Sequence, residues 1–268
     1  MTTATGTAAT DVIDASPVSR SEARDALVIS KRNLRRIVRT PQLLAFSSLL
    51  PISFTLLFRY VLGGAVHTGG LSYVDYLAPT MLILAPLFGA TTAIAMANDL
   101  STGMVDRFRS LPIGRSAPLA GRTIADLARA ALVTVLVLVV STLLGFRFHN
   151  GALLGFAAIG VVLAFTFAMS WPMAWIGMKV KEAETASIAA FLPIFLLVFA
   201  SSGLVPVNTF PGWLQAFAHV QPLSVTINLV RALTQGGPIY HWLWQTTAWT
   251  AGIFVVFGWL SVAEYRKV

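Results

Sequence analysis

Six runs of about 20 mostly apolar residues, separated by short polar connections, constrain this chain more than any other feature. A run of that length crosses the hydrocarbon core of a bilayer as a helix, because a spanning segment must satisfy its own backbone hydrogen bonds. The runs lie at 42–62, 77–97, 122–146, 152–177, 186–204 and 242–262. The third has its apolar core at 130–146, behind a polar turn or two. The fourth carries Pro172 as a kink rather than a stop. Charged residues make up 11% of the chain, against about 25% in a soluble domain, too few to clothe a water-facing surface. The expected fold class is an all-α integral membrane protein with six transmembrane helices.

Orientation follows from the basic residues. Of the 19 Lys and Arg, 16 fall on one side of this arrangement: before the first span, between 107 and 129, at Lys179 and Lys181, and at Arg266 and Lys267. Only Arg59, Arg147 and Arg231 lie elsewhere. The positive-inside rule puts the crowded side, and with it both termini, in the cytoplasm. The same clustering assigns the net charge of +8 to membrane topology and argues against nucleic acid as a partner. Fifteen arginines against four lysines match the usage of a high-GC bacterium.

Three segments fall outside the spans. Residues 1–25 are small and polar without an apolar core, the pattern of a disordered tail rather than a signal peptide. Residues 26–40 place Leu27, Leu34, Ile37 and Val38 on one helical face, with Lys31, Arg32, Arg35, Arg36 and Arg39 on a neighbouring arc. That pattern predicts an amphipathic helix in the cytoplasmic interface, ended by Pro41; a basic topogenic tail without fixed structure is the competing reading. Residues 205–237 are too long for a plain loop and too interrupted by Pro for a span. Pro211 and Pro222 each stand where a helix begins, and Gly236 and Gly237 supply a stop. Two short helices, 211–219 and 222–234, are expected half-sunk in the outer leaflet. Trp213, Phe217, Leu229 and Leu233 would anchor them, with Arg231 snorkelling to water.

Little in the chain supports chemistry of its own. There is no G-x-x-x-x-G-K-[ST] loop, so ATP hydrolysis by that mechanism is excluded, and no cysteine for a thiolate or a thiolate-bound metal. His67, His149, His219 and His241 fall at outer-surface positions without a second ligand at a suitable spacing, so neither a metal nor a bound cofactor is expected. Asp75, Asp99, Asp106, Glu182, Glu184 and Glu264 lie at span ends or in connections. Asp126 stands four residues after Arg122 and three before Arg129, a spacing that predicts pairing near the cytoplasmic surface. An ion-coupled secondary transporter usually keeps an acid inside the membrane and is disfavoured. A membrane-embedded hydrolase lacks its acid and His cluster, and no catalytic residue is assigned.

The most informative connection is 98–113, NDLSTGMVDRFRSLPI. Asn98 or Asp99 can cap a helix, and Pro112 forbids its continuing far. Leu100, Met104, Phe108 and Leu111 recur at helical spacing as one apolar stripe, with Asp106 and Arg109 pointing away. Such a stripe is buried either against the protein's own membrane base or against a partner.

The run 106–132, DRFRSLPIGRSAPLAGRTIADLARAAL, resembles the signature of ABC-2 exporter permeases, and is most similar to their daunorubicin- and doxorubicin-resistance branch. FRYVLGG at 58–64, YVDYLAPTML at 73–82, LGFRF at 144–148 and GLVPVNTFPGWLQAF…QPLS at 203–224 extend the resemblance in order and spacing. It implies a permease subunit driven by a separate ATPase, with ATP and Mg2+ held on that partner. It also implies a re-entrant helical hairpin at 205–237 before the sixth span, and a coupling helix at 99–111 that docks into the ATPase. Asp106, Arg107 and Arg109 would be its polar contacts, and the basic helix at 26–40 would flank the same subunit. Two ATPase chains and a second permease chain, identical or homologous, complete the unit. The implied cargo is a hydrophobic or amphipathic drug or lipid, exported across a bacterial plasma membrane. Phe46, Phe54, Phe88, Phe195 and Phe199 fall on spans such families place at the interface between permeases and are candidates for the substrate path. For any one of them, internal packing or lipid contact is the competing reading. An ion-coupled transporter and a membrane assembly protein without transport remain the alternatives to the exporter.

Overall fold

The structure, a computed structural model, describes residues 41–61, 63, 64, 66, 70–87, 91–104, 117–180 and 182–267. The helices are α1 (Pro41–Val61), α2 (Tyr73–Leu87), α3 (Thr91–Ser101), α4 (Ala117–Leu143), α5 (Ala152–Val180), α6 (Ala183–Phe199), α7 (Gly212–Val220), α8 (Pro222–Gln235) and α9 (Ile239–Lys267). No strand occurs among the described residues. Among the described residues, four stretches are long and apolar enough to cross a membrane: Tyr73–Ser101, Gly121–Leu143, Ala152–Val180 and Ile239–Tyr265; Leu49–Val61 and Ala183–Phe199 are shorter apolar helices. The chain is an integral, multi-pass membrane protein.

α5 packs against α2, α3, α4, α6, α8 and α9. It runs through Pro172 without ending. The main core joins Leu77, Met81 and Ile83 of α2 to Val133 of α4, Phe165 of α5, Ile194 of α6 and Ile227 of α8. A second cluster links Met96 of α3 with Trp171 and Met178 of α5 and Tyr265 of α9. Among apolar helices in lipid, close packing stands in for the hydrophobic effect, so small residues at crossings matter. Gly177 is one. A methyl group there would press on the carbonyl oxygen of Ala93 and stand 2.9 and 3.0 Å from that residue's C and Cα.

Several boundaries differ from the sequence expectation, each for a local reason. α2 starts at Tyr73 because Ser72 caps it: the Asp75 N–H donates to Ser72 Oγ at 3.1 Å, and Ser72 Oγ donates in turn to Asp75 Oδ2 at 2.7 Å. α6 stops at Phe199 rather than at 204. There Ser201 Oγ turns back to donate to the Val198 carbonyl at 2.6 Å and accepts from the Gly203 N–H at 3.1 Å. α4 begins five residues before 122, and α9 extends past 262 to Lys267. α8 starts with Pro222 in its first turn and Gln221 as cap, and Gly236 and Gly237, at φ 99° and 138°, end it.

The membrane-anchor reading of 205–237 is corrected in part. Trp213 and Phe217 of α7 are exposed, but Leu229 and Leu233 of α8 are buried in the main core. α8 is inserted between α2, α5 and α9, so its apolar face meets helices rather than lipid. Arg231 does not snorkel. Its guanidinium lies 3.8 Å from the centre of the Tyr76 ring and donates to the Tyr76 and Ser202 carbonyls, each at 3.1 Å, and to Asn228 Oδ1 at 3.0 Å.

Candidate functional site

Along α4, Arg122, Asp126 and Arg129 repeat at spacings of four and three and so share one face. Further along, the buried face mixes apolar Val133 and Val137 with the hydroxyl residues Thr134 and Ser141. This short polar stripe meets α2 and α3 in three successive links. Arg122 Nη1 donates to Asp99 Oδ2 at 2.7 Å, an ion pair with both side chains partly exposed. One turn on, Thr92 Oγ1 donates to Asp126 Oδ2 at 2.6 Å, a charge-assisted hydrogen bond. At the third level Arg129 Nη2 donates to the Pro86 carbonyl at 3.1 Å. That carbonyl belongs to α2, so the third link ties α4 to α2. The links bind α3 at both ends, Thr92 and Asp99, to α4.

The expected pairing of Asp126 with Arg122 or Arg129 is therefore corrected. Arg122 reaches across to Asp99, and Asp126 to Thr92, because α3 presents partners closer than the next turn of α4 does. The expected start of the coupling helix is corrected too. Asp99 and Leu100 belong to the last turns of α3, and Leu100 packs against the cluster of Met96, Trp171, Met178 and Tyr265. The chain turns at Thr102 and Gly103: the Thr102 N–H and Oγ1 both donate to the Asn98 carbonyl, at 3.0 and 2.7 Å, and Gly103 takes φ 65°. Met104 follows, half-buried. Asp106, Arg107, Phe108, Arg109 and Leu111 lie outside the described residues, as do the basic helix with Lys31, Arg32, Arg35, Arg36 and Arg39, and Phe88.

Of the phenylalanines, Phe195 and Phe199 are 37% and 54% exposed on α6. With Phe191 they form a ladder of rings whose centroids are 5.5 and 4.5 Å apart. Phe54 is half-buried against the main core and stacks on Phe58 at 5.6 Å instead. Phe46 lies on α1, its side chain outside the description. Sequence reasoning missed Thr92, whose signal was only a hydroxyl in an apolar run. It also missed Gly177, a small residue in an apolar helix and so a readable sign of close approach.

The comparisons with known proteins agree with this architecture. The chain belongs to the ABC-2 type transporter family, whose model matches residues 24–234. It is 30% identical over 220 residues to a daunorubicin resistance ABC transporter permease of Streptomyces coeruleorubidus, covering 82% of this chain and 78% of that protein. It is also 30% identical over 260 residues to a probable doxorubicin resistance ABC transporter permease of Mycobacterium tuberculosis, covering 94% and 93%.

Proposed function

We propose that this chain is the transmembrane permease of an ATP-driven exporter of hydrophobic or amphipathic compounds, drugs or lipids, and that a separate chain hydrolyses the ATP and holds it with Mg2+. Family membership across 24–234 carries the reading, and the two drug-resistance permeases that match most of the chain tilt it toward drugs. Six spans are assigned by adding α1 and α6 to the four longer stretches. The distribution of Lys and Arg supports cytoplasmic termini and a bacterial plasma membrane. α7 and α8 form the re-entrant hairpin. Two ATPase chains and a second permease chain complete the transporter, with the ring ladder Phe191, Phe195 and Phe199 on α6 as the apolar wall presented to the second permease and the cargo.

Coupling runs through α3. A partner that grips 104–111, with Asp106, Arg107, Phe108 and Arg109 as contacts, pulls on the end of α3. The links Asp99–Arg122 and Thr92–Asp126 then oblige α4 to follow. The basic helix at 26–40 flanks the same partner. Transport is driven only if that contact differs between the ATP-bound and free states.

The test is purification of the tagged chain from native membranes in mild detergent, with mass spectrometry of what accompanies it. An ATP-binding-cassette ATPase at about equal stoichiometry, lost when Phe108→Asp and Arg109→Glu are introduced, is expected. Recovery of no ATPase, under conditions that keep sister complexes intact, would turn the assignment to an ion-coupled transporter.

A further inference from the structure

Arg129 is 9% exposed, and among the described residues its guanidinium makes one hydrogen bond, from Nη2 to the Pro86 carbonyl. Its Nε is buried and has no protein partner among the described residues. A buried guanidinium donor left unpaired is costly, more so inside a bilayer. Beside it lies a cavity of about 20 Å³ lined by Pro86, Thr92, Asp126, Arg129, Thr166 and Ser170, among others. The hydroxyls of Thr166 and Ser170 donate to the Val162 and Phe167 carbonyls of their own helix, at 2.8 and 2.7 Å, which leaves their oxygens as acceptors. Asp126 has one oxygen engaged by Thr92 and further lone pairs to offer.

We infer that this cavity, lined by residues of α2, α3, α4 and α5, is a binding site for one ordered water that joins Arg129 Nε to the Asp126 carboxylate and to a hydroxyl of α5. The water accepts from Nε–H and donates to Asp126 and to Thr166 or Ser170, the roughly three bonds a buried water makes. Alternatives fail on charge and size. A cation meets the guanidinium, an anion meets Asp126, and a volume of about 20 Å³ holds about one water. The third link of the α4 stripe is then an ion pair mediated by water. It ties α5 to the seam, which the direct bonds of Arg129 and Asp126 do not do. The inference stands whether or not the chain proves to be an exporter.

The experiment is radiolytic hydroxyl-radical footprinting of the full chain in lipid nanodiscs, where a bound water is ionised in place and marks its neighbours. Met169 and Met173 line the cavity, whereas Met81 and Met178 are fully buried in the core clusters away from it. Oxidation of Met169 or Met173, with none at Met81 and Met178, is expected. In the double variant Asp126→Leu, Arg129→Met that oxidation should vanish. In the unmodified chain, rapid mixing with H2(18)O before the pulse should show delayed incorporation of the heavy oxygen, a readout independent of how the variant folds. Equal silence at all four methionines would overturn the site, as would oxidation that survives in a folded double variant. So would incorporation as fast as at exposed side chains.

Discussion

Replacing Gly177 by Ala tests the packing that holds α3 in place. The added methyl carbon would stand 2.9 and 3.0 Å from the C and Cα of Ala93 and closer still to its carbonyl oxygen. Carbon atoms pack comfortably at about 3.5–4.0 Å, so the two backbones must part by about 0.5–1 Å at this crossing. No side-chain rotation relieves the clash, because the three nearest atoms all belong to the Ala93 backbone. Overpacking of this kind costs about 1–3 kcal/mol, and a rigid backbone contact puts the value toward the upper end. In a denaturant titration of the purified chain in mixed micelles, the folding constant should fall about 5- to 150-fold. Gly160→Ala is the control, since nothing lies within 4 Å of a methyl group there and the same helix receives it. It should be neutral or stabilising by up to about 1 kcal/mol through helix propensity. Adding Ala93→Gly to Gly177→Ala should not restore stability. If Gly177→Ala were as stable as the parent, or if Ala93→Gly rescued it, the close backbone crossing would be wrong.

Three further expectations concern the polar contacts. Reversing one charge with Arg122→Asp should lower cargo-stimulated ATPase in the reconstituted complex, and Asp99→Arg in the same chain should recover part of it. The pair itself, partly exposed, contributes only about 0.2–1 kcal/mol to stability, so an effect confined to folding and absent from coupling would argue against the lever. Thr92→Val removes the donor to Asp126 and should cost about 1.5–3 kcal/mol, with Thr92→Ser nearly silent in the same titration; equal losses in both would mean that the methyl, not the hydroxyl, matters. Arg231→Leu should destabilise by about 2–3 kcal/mol while Tyr76→Phe, which keeps the ring under the guanidinium, costs less; a thermal-shift series in detergent would expose the reverse order.

Much of the fold was legible because the bilayer simplifies the code. Length and hydropathy locate helices where water is absent, and Pro and Gly mark their ends, as at Pro222 and Gly236. The boundaries that moved did so through local side-chain hydrogen bonds, Ser72 to Asp75 and Ser201 to Val198, which no count of apolar residues registers. The burial of Leu229, Leu233 and Arg231 was illegible for another reason. An amphipathic helix shows that it has an apolar face, not whether lipid or protein meets it. The polar face of α4 was visible as a spacing, but its partners depend on how α3 is docked, so the rule of charges one turn apart missed the direct partners, Asp99 and Thr92. The phenylalanines fared similarly: Phe54 and Phe195 look alike in sequence, yet one faces the core and the other the surface.

The hydroxyls of α2 carry a consequence for biosynthesis. Tyr73 Oη donates to the Leu204 carbonyl, Tyr76 Oη to that of Ser202 and Thr80 Oγ1 to that of Gly203, across 131, 126 and 123 residues of chain. A ribosome adding about 5–20 residues per second needs roughly 6–25 s to cover such a separation. For that interval α2 waits in the translocation machinery or the bilayer with three polar side chains whose final partners have not been made. Its insertion must be provisional, sheltered by water or by a chaperone, until the turn after α6 arrives. A nascent chain arrested before residue 201 should therefore leave α2 open to extraction, and one arrested well beyond residue 231 should not.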